Sequence, residues 1–263
     1  MPRFFLSKNH IARFDREIDG VLGTIVIDGG DARHIALSLR MHTGDAVTVC
    51  DMQKVEYRCT IADIEKLSSG RESAWRVRLD IREIRQSDTE PSYSAWLYQA
   101  IPKGDKLDFI VQKAVETGVA GIVLFLSERC ISRPDAATAA HKCERLQKIA
   151  EEAAKQSGRG IIPPVLPPVS YDEAVAMASR ADLGFLCYEG DGTLPMGKLI
   201  AERHTIPSTV HFLIGPEGGF SVAEVAKARN SGLASVGLGK RILRTETASG
   251  FVLSCLTYAY DLQ

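Results

Sequence analysis

The sequence has no run of about 18 uninterrupted apolar residues, the length a bilayer-spanning helix requires. No membrane helix is therefore expected. The opening residues Met1-Pro2-Arg3-Phe4-Phe5-Leu6-Ser7-Lys8 turn charged too early for a secretory signal, so the expected location is the cytoplasm. Six cysteines (Cys50, Cys59, Cys130, Cys143, Cys187 and Cys255) are scattered with no C-x-x-C and no histidine at ligand spacing, and H-E-x-x-H is absent. Neither a disulfide framework nor a metal site is expected. A charge excess is lacking too: 32 Lys+Arg against 33 Asp+Glu leave a formal net charge of −1. That balance argues against a general DNA coat but permits a nucleic-acid enzyme whose basic residues are gathered locally. The 22 Gly and 11 Pro follow no period, which excludes a collagen-like chain, and no internal repeat is evident.

What is present fits a globular protein, because 45% hydrophobic residues are ample for a packed core. A length of 263 residues suits a small domain followed by a medium one. The first segment is locally basic: Arg3, Lys8, Arg13 and Arg16 stand against Asp15 alone, with Phe4, Phe5 and His10 interleaved. A solvated terminal strand is the plain alternative.

Up to residue 86 the pattern is of short β runs at Leu22–Ile27, Ala46–Cys50, Val55–Ile61 and Trp75–Ile84. The last alternates, with Trp75, Val77, Leu79 and Ile81 on one side and Arg76, Arg78, Asp80 and Arg82 on the other. Turns are marked at Asp28-Gly29-Gly30, Thr43-Gly44-Asp45 and Ser68-Ser69-Gly70-Arg71, and a helix at Asp31–Leu39 is expected to open with Asp31 as its cap. Many strands and little helix predict a small barrel over 1–86. The polar, proline-bearing stretch Gln86–Ser92 reads as a linker.

From 93 to 263 the period changes. Strands are expected at Tyr93–Ile101, Gly121–Leu126, Leu183–Tyr188, Val210–Ile214 and Ser235–Leu238. Helices are expected at Asp105–Thr117, Ala139–Gln156, Ser221–Ser231 and Thr245–Leu262, the first with Leu107, Ile110, Val111, Ala114 and Val115 on one face. Alternating elements with apolar strands predict an α/β fold, a parallel sheet with helices on both faces.

Two late segments place glycine-bearing turns between a strand and a helix, the position at which such folds bind ligands. One is Gly215-Pro216-Glu217-Gly218-Gly219-Phe220-Ser221, where Ser221 and Glu224 form a capping box. The other is Gly237-Leu238-Gly239-Lys240-Arg241-Ile242-Leu243-Arg244-Thr245-Glu246-Thr247-Ala248, whose Leu238, Ile242 and Leu243 are apolar within a loop. Neither matches G-x-G-x-x-G or a P-loop, so dehydrogenase and NTPase readings are weak.

These two motifs resemble the cofactor-binding core of the RsmE family, small-subunit (16S) ribosomal RNA uridine N3-methyltransferases of the SPOUT class. Matches extend along the chain at Met1–Phe5, His34, Leu39-Arg40, Gly44, Pro102-Lys103, Lys113-Ala114, Glu116, Gly118-Val119 and Gln156-Ser157-Gly158-Arg159. The resemblance implies a PUA-like β-barrel that binds RNA, followed by a trefoil-knotted SPOUT domain. It further implies S-adenosyl-L-methionine as cofactor, 16S ribosomal RNA or the small ribosomal subunit as partner, and a homodimer.

By the same resemblance the cofactor is held by Leu213, Ile214, Gly215, Pro216, Gly218 and Gly219 of the first motif. Leu238, Gly239, Ile242, Leu243, Thr247 and Ala248 of the second complete the set, with Tyr188 and Glu189 at the mouth. Uracil N3 is a poor nucleophile until it loses its proton, so a base or an anion-stabilising group is needed. Glu217 and Glu246 are the carboxylates in the two loops, and Arg244 is placed to stabilise charge on the uracil oxygens. The bland alternatives are that Glu217 bonds loop amides and Glu246 complements a helix dipole. Arg3, Arg13, Arg40, Lys103 and Arg159 are the expected RNA contacts, with structural salt bridges as the competing role, and His34 is expected to pack or cap. The face of the last helix carrying Ala248, Val252, Cys255, Leu256 and Ala259 serves either the core or a dimer interface.

Overall fold

A computed structural model describes residues 1–6, 11–67 and 74–262. Lys8, His10 and the turn at Ser68–Arg71 lie outside them. The chain forms two compact units, Met1–Glu90 with Lys155–Ile162, and Pro91–Ala154 with Pro163–Gln263.

The first unit is one mixed sheet of six strands: β1 (Arg3–Phe5), β2 (Ile11–Ile18), β3 (Val21–Asp28), β4 (Ala46–Cys50), β5 (Val55–Leu67) and β6 (Ala74–Gln86). Their order is β1-β4-β5-β6-β3-β2, with β1 parallel to β4 and the other pairs antiparallel. The alternation in β6 is realised: Val77, Leu79 and Ile81 are buried while Arg76, Arg78 and Arg82 are exposed. Register shifts between Arg58 and Cys59 and between Ile61 and Asp63 bend β5. Side chains from strands far apart in the order, Phe4, Val49, Ile61, Leu79 and Ile25, meet in one core, so the sheet curls over on itself.

The short helix α1 (Gly30–Arg33) begins behind Gly29, whose φ of 76° makes the sharp entry, and continues as a π-turn over His34–Ser38. The cap expected of Asp31 is not made. Asp31 instead faces Lys155 Nζ at 3.3 Å, and His34 meets the Phe4 ring edge-on.

Buried charge stitches this unit together. The Glu56 side chain has no exposed surface and accepts from Arg3 Nη1 (2.6 Å), Arg85 Nη2 (2.7 Å) and Ser87 Oγ (2.8 Å). Glu90 accepts from Arg159 Nη2 (2.5 Å) and from the amides of Gly160 and Ile161 (2.9 and 3.3 Å).

The second unit is a parallel sheet of seven strands: β7 (Ser94–Ala100), β8 (Gly121–Leu126), β9 (Val165–Ser170), β10 (Leu183–Cys187), β11 (Leu194–Pro195), β12 (Thr209–Ile214) and β13 (Ala234–Gly237). Their order is β11-β13-β10-β12-β7-β8-β9. The helices are α2 (Lys106–Glu116), α3 (Ala136–Ser157), α4 (Tyr171–Ala178), α5 (Met196–Ala201), α6 (Val222–Asn230) and α7 (Thr245–Tyr260).

Period two in the strands divides their side chains between two helical layers. Tyr98, Ala100, Val123, Phe125 and Leu213 pack with Tyr171 and Ala174 of α4 and with Val225 and Ala228 of α6. On the other side α7 packs against α2 and β12. The stripe expected on α2 is the buried one, from Leu107 to Val115. Of the α7 residues offered to core or interface, Ala248, Val252 and Leu256 are buried, whereas Cys255 and Ala259 are half-buried. An apolar groove lined by Met196, Ile200, Ile206, Phe251, Cys255 and Tyr258 stays open beside α5 and α7.

Candidate functional site

β10, β12 and β13 are neighbours in the sheet, and their carboxyl ends open into one cleft. Parallel strands deliver such ends to the same edge, which is where α/β sheets receive ligands. The end of β12 contributes Ile214, and the β12–α6 loop contributes Gly215, Pro216, Gly219 and Phe220. The β13–α7 loop contributes Leu238, Gly239, Ile242 and Leu243, with Thr245 and Ala248 from α7. Gly237, Lys240 and Arg241 of the second loop region and Cys187, Tyr188, Glu189 and Thr193 complete the wall.

Close approach of backbone shapes this cleft. Gly219 takes φ 66° in a turn in which its amide donates to Pro216 O at 2.9 Å. A Cβ there would come within 2.5 Å of Glu189 Oε1, and one on Gly237 within 2.8 Å of Thr193 Oγ1. Glycine at these two positions lets the backbone lie directly against the Glu189 and Thr193 side chains, which a Cβ would have to displace.

The first loop is pinned at both ends. Ser221 N donates to Glu224 Oε2 (2.9 Å) and Glu224 N to Ser221 Oγ (3.2 Å), closing the expected capping box. Glu224 also accepts from Ser127 Oγ and the Glu128 amide, while Arg129 Nη1 donates to Gly218 O at 2.7 Å. Glu217 accepts from the Lys103 amide at 3.1 Å and from Lys106 Nζ. Partial burial pushes the Glu217 carboxyl up, but the hydrogen bonds from Lys106 and the Lys103 amide outweigh it and hold the group below the usual carboxylate range.

The expected site residues thus have definite places. Ile214, Gly215, Pro216, Gly219, Leu238, Gly239, Ile242, Leu243 and Ala248 line the cleft. Leu213 is fully buried in the α4–α6 layer, Gly218 faces Arg129, and Thr247 is exposed on α7. Arg244 is exposed and forms the N-cap of α7 in extended conformation. Glu246, in the first turn, is half-buried, with Oε2 sealed and without a hydrogen-bond partner among the described residues.

Sequence reasoning passed over Cys187, Thr193 and Thr245 as lining residues. Thr245 sat between two named positions, and Cys187 ends an apolar strand, which was the available signal.

Of the basic residues expected on RNA, Arg13, Arg40 and Lys103 are exposed. Arg3 and Arg159 are instead paired with the buried carboxylates of Glu56 and Glu90, the salt-bridge alternative. Among the described residues no group of three His, Cys, Asp or Glu is placed to hold a metal ion, and no helix is long and apolar enough to cross a membrane.

Comparison with known proteins agrees with this geometry. Residues 89–257 match the RNA methyltransferase domain model, and residues 27–68 match the RNA methyltransferase PUA domain model. The chain is 31% identical over 242 residues to the ribosomal RNA small subunit methyltransferase E of Bacillus subtilis, covering 91% of each chain. The ribosomal RNA small subunit methyltransferase E of Neisseria gonorrhoeae, solved bound to S-adenosyl methionine, superposes with a TM-score of 0.79 at 32% identity, covering 100% of both chains. A putative methyltransferase of Legionella pneumophila, solved with bound SAM, gives a TM-score of 0.76 at 27% identity over 98% of this chain and 97% of that one. The chain belongs to the ribosomal RNA small subunit methyltransferase E family.

Proposed function

We propose that the chain transfers the methyl group of S-adenosyl-L-methionine to N3 of a uridine in 16S ribosomal RNA. It acts in the cytoplasm, on that RNA or on the small ribosomal subunit. The observation that carries this reading is the meeting of both glycine-bearing loops in one cleft, in a chain of this family.

The residues present fit that cofactor. Leu238, Ile242 and Leu243 offer apolar surface to a flat base, and the glycine turns bring backbone N–H and C=O groups close enough to read its edge. The wall carries one carboxylate, Glu189, and two cations, Lys240 and Arg241, counterparts for a cofactor that bears both a sulfonium and a carboxylate. S-adenosyl-L-methionine supplies a methyl group activated on sulfur, with a neutral thioether as leaving group.

The chain must align the uracil and remove its N3 proton. Glu246, in the first turn of α7 between the cleft residues Thr245 and Ala248, is assigned as base. Arg244, at the start of α7, is assigned to the charge that develops on the uracil oxygens. Glu217 is assigned to clamping its loop, because a lowered pKa makes a carboxylate a weaker base. Arg13, Arg40 and Lys103 are assigned to RNA.

The trefoil knot belongs to the same proposal. It is supported by a strand order that sends β13 outside β10 while α7 returns to β12 and α2. So does a homodimer, with the groove beside α7 as its interface. Phe251, Tyr258 and Ile206 are 38, 62 and 50% exposed there in the single chain. Phe251→Glu is expected to yield a monomer in sedimentation.

The test incubates the protein with labelled cofactor and unmodified 16S RNA or small subunits, then locates the methyl group by nucleoside mass spectrometry. N3-methyluridine is the expected product. A methyl on ribose or guanine, or cofactor binding with no product on either substrate, overturns the proposal.

A further inference from the structure

We propose that Gln99 is a positioning residue for the cofactor cleft, acting through Thr245 on the backbone carbonyl of Gly215. The proposal rests on the cofactor assignment above and adds a residue that neither loop motif contains.

Gln99 is a fully buried amide in β7, a strand whose neighbouring positions Ala95, Leu97 and Ala100 are apolar. Alternation along the strand puts it on the face with Ala95 and Leu97, opposite Tyr98 and Ala100 of the α4–α6 layer. Its Nε2 lies 3.0 Å from Ala100 O and 2.9 Å from Thr245 Oγ1. A carbonyl only accepts, so the atom facing Ala100 O must be the amide nitrogen, and its second N–H goes to Thr245. The Thr245 hydroxyl, accepting there, has one proton left, which it donates to Gly215 O at 2.8 Å.

The chain of bonds therefore runs in one direction, from the amide N–H through the hydroxyl to the carbonyl. Its far end is at the cleft. Thr245 is the first residue of α7 and Gly215 follows β12, and both line the cleft. Gly215 has no side chain to hold it, so the carbonyl is its handle. With one lone pair occupied, that oxygen keeps a second, whose direction the relay sets. The result is an oriented acceptor on the cleft wall, suited to an N–H or O–H donor of a bound nucleoside.

A further observation separates this role from plain packing. Gln99 Oε1 is buried and has no partner among the described residues. The amide therefore buries one unpaired acceptor while both of its donors are used, one on Ala100 O and the other on Thr245 Oγ1.

The test is calorimetric titration of the full chain with S-adenosyl-L-methionine, with thermal unfolding run alongside. Gln99→Leu and Thr245→Val are each expected to weaken binding about tenfold, the loss of one oriented hydrogen bond. The double variant should be no weaker than either single one, because both cut the same relay. Thr245→Ser, which keeps the hydroxyl, should bind within about twofold of wild type, a difference of a few tenths of a kcal/mol.

Wild-type affinity in folded Gln99→Leu, additive losses in the double variant, or equal losses in Thr245→Ser and Thr245→Val would each overturn the relay. Should the leucine variant not fold, Gln99→Met, which also lacks both donors, takes its place against the same outcomes. A wild-type chain that binds no cofactor refutes the cofactor reading itself and is distinguishable from these results.

Discussion

Glu189 and Gly219 face each other so closely that a Cβ on the glycine would lie 2.5 Å from Glu189 Oε1. The glycine also holds φ at 66°, in the left-handed region that side chains resist. Gly219→Val therefore combines a steric clash with backbone strain of roughly 1–2 kcal/mol. It is expected to reduce cofactor affinity more than tenfold while the first unit keeps its fold. Titration with the cofactor, and circular dichroism of the variant, check both parts. Wild-type affinity would remove the β12–α6 loop from the cofactor site.

The two loop carboxylates should separate kinetically. Glu217 already spends its charge on Lys106 and the Lys103 amide, so Glu217→Gln is expected to keep methyl transfer within about tenfold of wild type. Loss of a general base ordinarily costs about 10²–10⁴-fold. Glu246→Gln is expected to fall in that larger range, with cofactor affinity retained. Single-turnover rates on RNA substrate decide, and the reverse ranking would return the proton to Glu217.

Basic residues divide into those that hold the fold and those left for a polyanion. Arg3→Met leaves the buried Glu56 short of a partner and should cost on the order of 3 kcal/mol in denaturant unfolding. Arg40→Gln should leave stability unchanged within about 0.5 kcal/mol. It should also reduce the slope of log affinity against log salt for single-stranded RNA by about 0.7. An Arg3 variant of normal stability with the same reduced slope would move Arg3 to the RNA.

His211 gives the second unit a pH response. It sits in β12 with Nδ1 3.2 Å from Tyr98 Oη, and burial lowers its pKa below the ordinary 6.5. The folded state thus binds fewer protons than the unfolded one, so the histidine's contribution is full above pH 6.5. It is lost as pH falls through 6.5 toward the folded value. Unfolding midpoints measured from pH 8 to pH 5 should decline more for wild type than for His211→Gln. Parallel curves would show that His211 is not the titrating group.

The parts of the structure that declare themselves locally were legible in the sequence. The α2 stripe, the β6 alternation and the Ser221–Glu224 box each follow from a few neighbouring residues. β9 was hidden by Pro167 and Pro168, which argue against a central strand but are tolerated here because β9 is the edge of its sheet. α4 carried a readable sign, the Ser170–Glu173 box, although the proline-rich approach masked it.

β11 and α5, of two and six residues, are too short to establish a period. The bond from Gln99 to Thr245 spans 146 positions and has no local signature. The cleft itself became readable through a family pattern, since periodicity carries no information on which loops meet.

Helix α3 starts in one unit and its last residues count with the other, as Glu90 closes on Arg159 and Gly160. Glu90 and Gly160 are 70 residues apart, a length the ribosome needs roughly 4–14 s to make at 5–20 residues per second. During synthesis the amino-terminal sheet must wait that long for its last piece, with a carboxylate destined for burial still in water. A gene fragment stopped at Glu90 would leave the sheet in that unfinished state permanently.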